Sequence, residues 1–264
     1  MLKELRFALY AMKKNIQSSA ELRTSFLMNI VGMAINNSSF IIIWVFFVHS
    51  VGVIGGWTAA DIVALQGFVA LAYGVIFSVG IGIKKLPEYA ATGVFDRFML
   101  SPKNLLVRVA TSAFSPSGLG DIVFGIVCLV IYGFLIDINL AQVFLMLLLI
   151  LFASIMFFAV SVTVYSASFF FIDSHAVTNG LFELFMTPTL FHGGAFQGAT
   201  RFAFTFIVPS LLIGTLPVEA IKDISFGKLA LVGALSLLWL FLSIKIFNKA
   251  IRRYESSNLM TFGN

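Results

Sequence analysis

The sequence predicts an all-α integral membrane protein with six transmembrane helices. Of its 264 residues, 59% are hydrophobic and only 11% are charged, whereas soluble domains carry about 25% charged residues. Several apolar runs reach the roughly 20 residues that a helix needs to cross a bilayer. The 21 Gly and 6 Pro favour helices over a barrel, because both residues are common in membrane helices. We expect a single transmembrane domain over residues 1–264.

The first 23 residues predict an amphipathic helix that lies at the membrane interface. At 100° per residue one face is apolar, and it consists of Leu2, Leu5, Leu9, Met12 and Ile16. The charged start of a signal peptide is the alternative. The apolar run that follows, residues 26–48, is about twice a usual signal-peptide core and has no small-residue cleavage site after it, so we favour the interfacial helix.

Five apolar runs after the interfacial helix predict membrane spans. Four are residues 26–48, 62–83, 109–136 and 140–172, and the last is 229–244. Asp121 is the one charge inside the third run. The fourth run is longer than a bilayer is thick, so we expect its end near Phe169 to protrude on the cytoplasmic side.

Residues 176–216 are broken by Pro and Gly, and counting crossings decides how they are interpreted. If both halves crossed the membrane, the basic C-terminal segment would lie outside, against the positive-inside rule. We therefore predict a fifth span over 176–195 and a re-entrant helix pair on the outer side over 196–217, since irregular backbone is tolerated where protein buries it.

This topology places both termini in the cytoplasm. Fourteen of the 17 Lys and Arg then lie inside, leaving Arg201, Lys222 and Lys228 outside. Basic residues with this distribution set topology and meet anionic lipid headgroups, so they do not indicate nucleic-acid binding.

The cytoplasmic segment 84–108 predicts a short helix between Pro87 and Pro102, because proline suits a first helical turn and disfavours helix before it. The segment mixes aromatic and charged side chains, which we expect to be exposed: Glu88, Tyr89, Phe95, Asp96, Arg97 and Phe98. Such a surface suits docking of a soluble partner. A helix that lies on lipid headgroups fits equally well at this stage.

The chain has no motif for catalysis. Phosphate-loop, nucleophile-elbow and zinc-protease patterns are missing, and the single cysteine and three scattered histidines give no metal-ligand spacing. Polar residues in the spans are few, and four are candidates for a translocation path: Asn29, Asn36, Asn37 and Glu183. The other interpretation makes Asp121 and Glu183 cytoplasmic-end or interhelical hydrogen-bonding groups, and Arg201 is interpreted as an outer anchor.

The order of elements resembles the permease subunit of the type-2 ABC exporter family, in its bacterial six-span, stand-alone subfamily. The local matches are TGVFDRFMLSP at 92–102, GD at 120–121 and RRYES at 252–256. The remaining likeness is the layout, with an interfacial helix, two spans, a coupling segment, three spans, a re-entrant pair and a last span.

The resemblance implies a non-enzymatic permease in the bacterial plasma membrane that forms half of a transporter. A separate ABC ATPase would bind ATP and magnesium, so this chain would hold no cofactor itself. A second permease copy or a related permease would complete the path. The residues implied in ATPase coupling are Glu88, Gly93, Phe95, Asp96, Arg97, Phe98 and Pro102.

Two other classes of function remain open. An ATP-independent channel or carrier would need a site in the broken-helix region 183–217. A membrane enzyme or assembly scaffold is the third class, which the missing reactive residues disfavour.

Overall fold

The computed structural model of the protein describes residues 2–53, 55–171 and 174–254. These residues form α-helices, short 3₁₀ and π turns and loops, and no β-strand, so the all-α prediction is confirmed. The α-helices are α1 (Leu2–Glu21), α2 (Arg23–Val51), α3 (Ala59–Val79), α4 (Leu86–Ala91), α5 (Phe95–Met99), α6 (Leu105–Ala110), α7 (Pro116–Leu135), α8 (Leu140–Ser166), α9 (Ser174–Thr189), α10 (Gly198–Phe202), α11 (Thr215–Lys222) and α12 (Phe226–Ala250).

A few sequence predictions lie outside the described residues. They concern the side chains of Leu2, Leu5 and Val48, the end of the fourth apolar run at Ile172, and the tail beyond Tyr254.

Among the described residues, five helical segments are long and apolar enough to cross a bilayer. They are Arg23–Phe46, Ala59–Val79, Pro116–Leu135, Leu140–Phe169 and Phe226–Arg253. The predicted fifth span corresponds to α9, which has only 16 residues and is about 24 Å long at 1.5 Å per residue. The molecule is therefore a multi-pass membrane protein, and the count of six spans stays a prediction.

The third span begins later than its apolar run suggested. The run 109–136 is interrupted where α6 ends, and α7 starts with Pro116 in its first turn. Ser115 is extended, with φ −119° and ψ 115°, because a residue before proline avoids the helical region. The last span is longer than residues 229–244, since α12 continues to Ala250.

Close contact between α3 and α7 forms the centre of the bundle. A Cβ on Gly74 of α3 would lie 2.6 Å from the backbone oxygen of Gly118, and one on Gly125 of α7 would lie 2.8 Å from the amide nitrogen of Leu71. Membrane helices are held by van der Waals packing and not by exclusion of water, so glycines that let backbones approach are stabilising.

The bundle has two distinct ends. At the first, which we call the α1 end, Asn15 of α1 donates to the carbonyl of Thr111 (2.8 Å), and Phe95 contacts the rings of Phe169 and Tyr254. α9 begins five residues after Phe169, at Ser174. The α1 end therefore brings together the starts of α2, α7 and α9 and the ends of α3, α8 and α12.

At the opposite end lies a helical hairpin, residues 193–222, which includes α10 and α11. Its two flanks are close to the loop before α3: Trp57 contacts the ring of His192 at 6.3 Å, and Lys222 donates to the carbonyl of Gly56 (2.9 Å). Its middle reaches back into the bundle, where Ser210 donates to the carbonyl of Phe185 (2.8 Å). We call this the hairpin end. Whether the hairpin re-enters a membrane stays a prediction.

Candidate functional site

The predicted coupling segment folds into two short helices and not one. Pro87 lies in the first turn of α4, and α5 ends at Met99, before Pro102, so both proline predictions hold. Between the helices Gly93 has φ +71°, a left-handed conformation that favours glycine. This turn breaks the single expected helix into α4 and α5.

Phe95 is buried, which corrects the expectation that it is an exposed docking aromatic. Its side chain is 0% exposed and lies 4.9 Å from the ring of Phe169, 4.8 Å from that of Tyr254 and 6.4 Å from that of Phe98. The ring thus joins the coupling segment to the end of α8 and to the residues after α12. Sequence reasoning missed this burial because the two strongest partners are more than 70 residues away.

Only some of the other side chains that were predicted to be exposed are so, and Tyr89 is half-buried. Glu88, Arg97 and Pro102 are exposed, Asp96 and Phe98 are half-buried, and Leu100 is 86% exposed at the tip beside Met99 at 51%. The guanidinium of Arg108 donates to the carbonyls of Phe98 and Arg97, which fixes the end of α5. The arrangement offers an apolar tip with charged flanks.

The interfacial helix α1 packs against the same segment. The carboxylate of Glu4 accepts from the amide of Asn104 (3.2 Å), and the amine of Lys103 lies 4.2 Å from the centre of the Phe7 ring. Leu9 is 57% exposed on the face that was predicted to meet lipid. One hydrogen bond and one cation–π contact therefore join α1 to the coupling segment.

A polar cavity of about 310 Å³ lies between α2, α3, α7 and α9. It is lined by Met33, Asn36, Asn37, Phe40, Gln66, Val69, Ala70, Tyr73, Asp121, Phe124, Met186 and Leu190. Asn37 donates to Oδ1 of Asp121 at 2.6 Å, and the Asp121 residue is only 2% exposed. Two candidate path residues, Asn36 and Asn37, thus share a site with the carboxylate that the sequence suggested was a helix-contact group.

The other two candidate path residues lie outside this cavity. Asn29 donates to the carbonyl of Ser25 (2.7 Å) on its own helix, and Glu183 is exposed on α9. Near Glu183, the amine of Lys84 lies 5.5 Å from the centre of the Phe77 ring. Burial lowers the pKa of Lys84, and the charge of Glu183 opposes that shift.

Sequence reasoning also missed Gln66 and Tyr73, which form the α3 wall of the cavity. Gln66 is buried and donates to the carbonyl of Leu190 at 3.3 Å. The available signal was an amide in the middle of an otherwise apolar span, since a polar side chain in lipid indicates a partner or a water-filled path.

Ion pairs hold the hairpin end together. Arg201, predicted as an outer anchor, pairs with Glu219 at 2.6 Å, and Lys222 pairs with Asp61 at 2.8 Å. In the broken-helix region 183–217, where a channel or carrier would need its site, Ser210 is 0% exposed and Thr215 is 1% exposed, whereas Gln197, Gly198 and Phe202 are exposed. Among the described residues, no group of three or more His, Cys, Asp or Glu side chains is arranged to hold a metal ion.

Comparison with known proteins places the chain in a family. No curated protein and no solved structure matches it. Residues 33–258 match the model of the ABC-2 family transporter proteins, and this range includes α3–α12, most of α2, the coupling segment and the polar cavity. The chain therefore belongs to the ABC-2 transporter family, as an ABC-type permease.

Proposed function

We propose that the protein is the membrane half of an ATP-driven exporter, with ATP and magnesium bound by a separate ABC ATPase. The observation that carries this proposal is the coupling segment within the family match: an apolar tip, Met99 and Leu100, stands on a buried aromatic anchor. An exposed tip that is fixed by packing on the rest of the protein can transmit force from a soluble partner. A helix that only lies on lipid headgroups would not need a buried anchor.

Charge supports a cytoplasmic position for the α1 end. The segments that meet there, residues 2–23, 84–108 and 245–253, hold 14 of the 17 Lys and Arg. Cytoplasmic loops carry this excess in membrane proteins. ATP is a cytoplasmic substrate, so an ATPase that docks on the α4–α5 segment would find it on this side, which fits a bacterial plasma membrane with both termini inside.

Exposed polar stripes support a second permease subunit. On α2, the residues Ser25, Asn29, Gly32 and Asn36 are exposed and follow helical spacing, so they lie along one face. On α9, Asn179, Glu183 and Thr187 form a similar exposed stripe. Amide and carboxylate groups are costly in contact with lipid tails. A second copy or a related permease that covers these faces would enclose a polar path between the subunits.

Affinity purification tests this function. Tagged protein extracted in mild detergent should bring down a stoichiometric nucleotide-binding ATPase, detected by mass spectrometry and by ATP hydrolysis in the eluate. Arg97→Glu and Leu100→Asp should remove that subunit. Lys13→Glu, which makes the same charge change as the first variant at an exposed α1 position, should retain it. An ATPase-free oligomer of wild-type protein would contradict the proposal and favour a channel or carrier.

A further inference from the structure

The carboxylate of Asp121 is a buried charge with an unfilled hydrogen-bonding position. Oδ1 accepts from Asn37, whereas Oδ2 is buried and has no hydrogen-bond partner within the described ranges. Within the same ranges Asp121 takes part in none of the ion pairs found, which join Asp61, Glu219 and Asp223 to basic residues of the hairpin end. An ionisable group within a membrane-spanning helix is expensive unless it is paired, and such groups mark functional sites.

The position of the cavity is well inside the bundle. Asn37 is 14 residues along α2 from Arg23, which corresponds to about 21 Å at 1.5 Å per residue. Gln66 and Leu190 close the side toward the hairpin end. Asn36 is exposed and Phe40 is 39% exposed. The cavity therefore opens to the outside of the bundle along α2.

The wall has the chemistry of a cation site. Besides the carboxylate, the described lining residues supply the side-chain amides of Asn36 and Gln66 and the rings of Phe40, Tyr73 and Phe124, and none of these described residues is Lys, Arg or His. Aromatic faces attract ammonium and guanidinium groups, more strongly where water is excluded. An anionic ligand would instead meet the carboxylate with no positive charge to offset the repulsion.

We propose that this cavity binds a cationic ammonium or guanidinium group carried by an amphipathic molecule in the bilayer. A volume of about 310 Å³ is at the lower end of ligand sites, so the cavity holds the charged group while the apolar remainder extends through the α2 opening. The source is either a transported cation or the headgroup of an amine-bearing lipid. The first source rests on the proposed transport function and would make the cargo an amphipathic cation.

The first test measures binding to the purified permease alone. Benzylammonium, whose N–H groups can donate to Oδ2, is titrated by equilibrium dialysis against protein in dodecyl maltoside, with empty micelles subtracted. Its uncharged carbon isostere ethylbenzene is titrated in parallel. Wild type should bind the ammonium compound, and Asp121→Asn should weaken that binding about tenfold or more, as loss of a desolvated charged contact does. The isostere should show no such loss.

A matched control makes the same chemical change at the other end of α7. Asp137 is exposed and has φ +50°, a conformation that asparagine tolerates, so Asp137→Asn should bind as wild type does. Equal ammonium affinity in wild type and Asp121→Asn would overturn the proposal. If Asp121→Asn does not fold, the wild-type comparison decides: no preference for the ammonium compound over its isostere also overturns it.

Competition identifies the source of the cation. Displacement of the probe by phosphatidylethanolamine, but not by phosphatidylglycerol, assigns the site to a lipid headgroup. Resistance to both lipids assigns it to a transported amphipathic cation. Because no ATPase is present in these measurements, they stay interpretable if the ATPase does not associate, and a failure of cation binding leaves the transport function untouched.

Discussion

Truncation of the buried Phe95 should destabilise the permease itself, whether or not a partner is bound. The ring is 0% exposed and packs on Phe169 and Tyr254 at 4.9 and 4.8 Å. Phe→Ala changes in well-packed sites cost about 3–5 kcal/mol. At about 2–4 °C per kcal/mol for a chain of this size, Phe95→Ala should lower the Tm in detergent by about 6 °C or more.

Two quantities are measured for each variant. The Tm is obtained from size-exclusion chromatography of purified protein heated to increasing temperatures, and ATPase retention is measured on the affinity resin. Leu100→Ala is the matched control, since Leu100 is 86% exposed; it should leave the Tm unchanged and weaken ATPase retention. Phe95→Ala should lower both. If Phe95→Ala melted as wild type does and still lost the ATPase, Phe95 would be a direct docking residue, and the assignment of its ring as an anchor would be wrong.

Three further predictions use the same unfolding assay. Gly74→Ala should destabilise by about 1–3 kcal/mol, the usual cost of overpacking, because its Cβ would lie 2.6 Å from a backbone oxygen of α7, whereas Gly32→Ala, with open space around it, should not. Lys222→Met should cost more than Lys228→Met, because Lys222 pairs at 2.8 Å with Asp61, which is only 4% exposed, whereas Lys228 pairs closely with the 60% exposed Asp223 and only at 3.5 Å with Glu219. Exposed pairs contribute about 0–1 kcal/mol. Gly93→Ala should cost about 1–2 kcal/mol of stability at φ +71°, and Gly93→Asn should cost less. Equal Tm values for the two variants of any of these three pairs would contradict the structure described.

The long apolar helices could be predicted from sequence because their signal is local. A bilayer requires a run of apolar residues of fixed length, and no distant contact can change that requirement. The start of α7 was missed for a local reason, since Pro116 disfavours helix at Ser115 within a run that carries no charge before Asp121. Hydropathy alone does not register that steric effect.

The candidate site could be predicted only in part, because its key contacts join distant segments. Asn37 and Asp121 are 84 residues apart, and Gln66 reaches a carbonyl 124 residues away. The sequence identifies each as a polar group in an apolar helix but not which of them meet. The burial of Phe95 has the same origin, since its aromatic partners follow α8 and α12.

Cross-linking at the tip of the coupling segment tests most directly whether this permease is driven by a separate ATPase. The native Cys128 is buried, so a new surface thiol can be labelled selectively with a photoreactive maleimide. Leu100→Cys at the tip should give an adduct of the permease with a nucleotide-binding ATPase, identified by mass spectrometry. Asp223→Cys, exposed at the hairpin end, should give none. An ATPase that is bound to the permease yet cross-links equally from both positions, or from neither, would contradict docking on the α4–α5 segment.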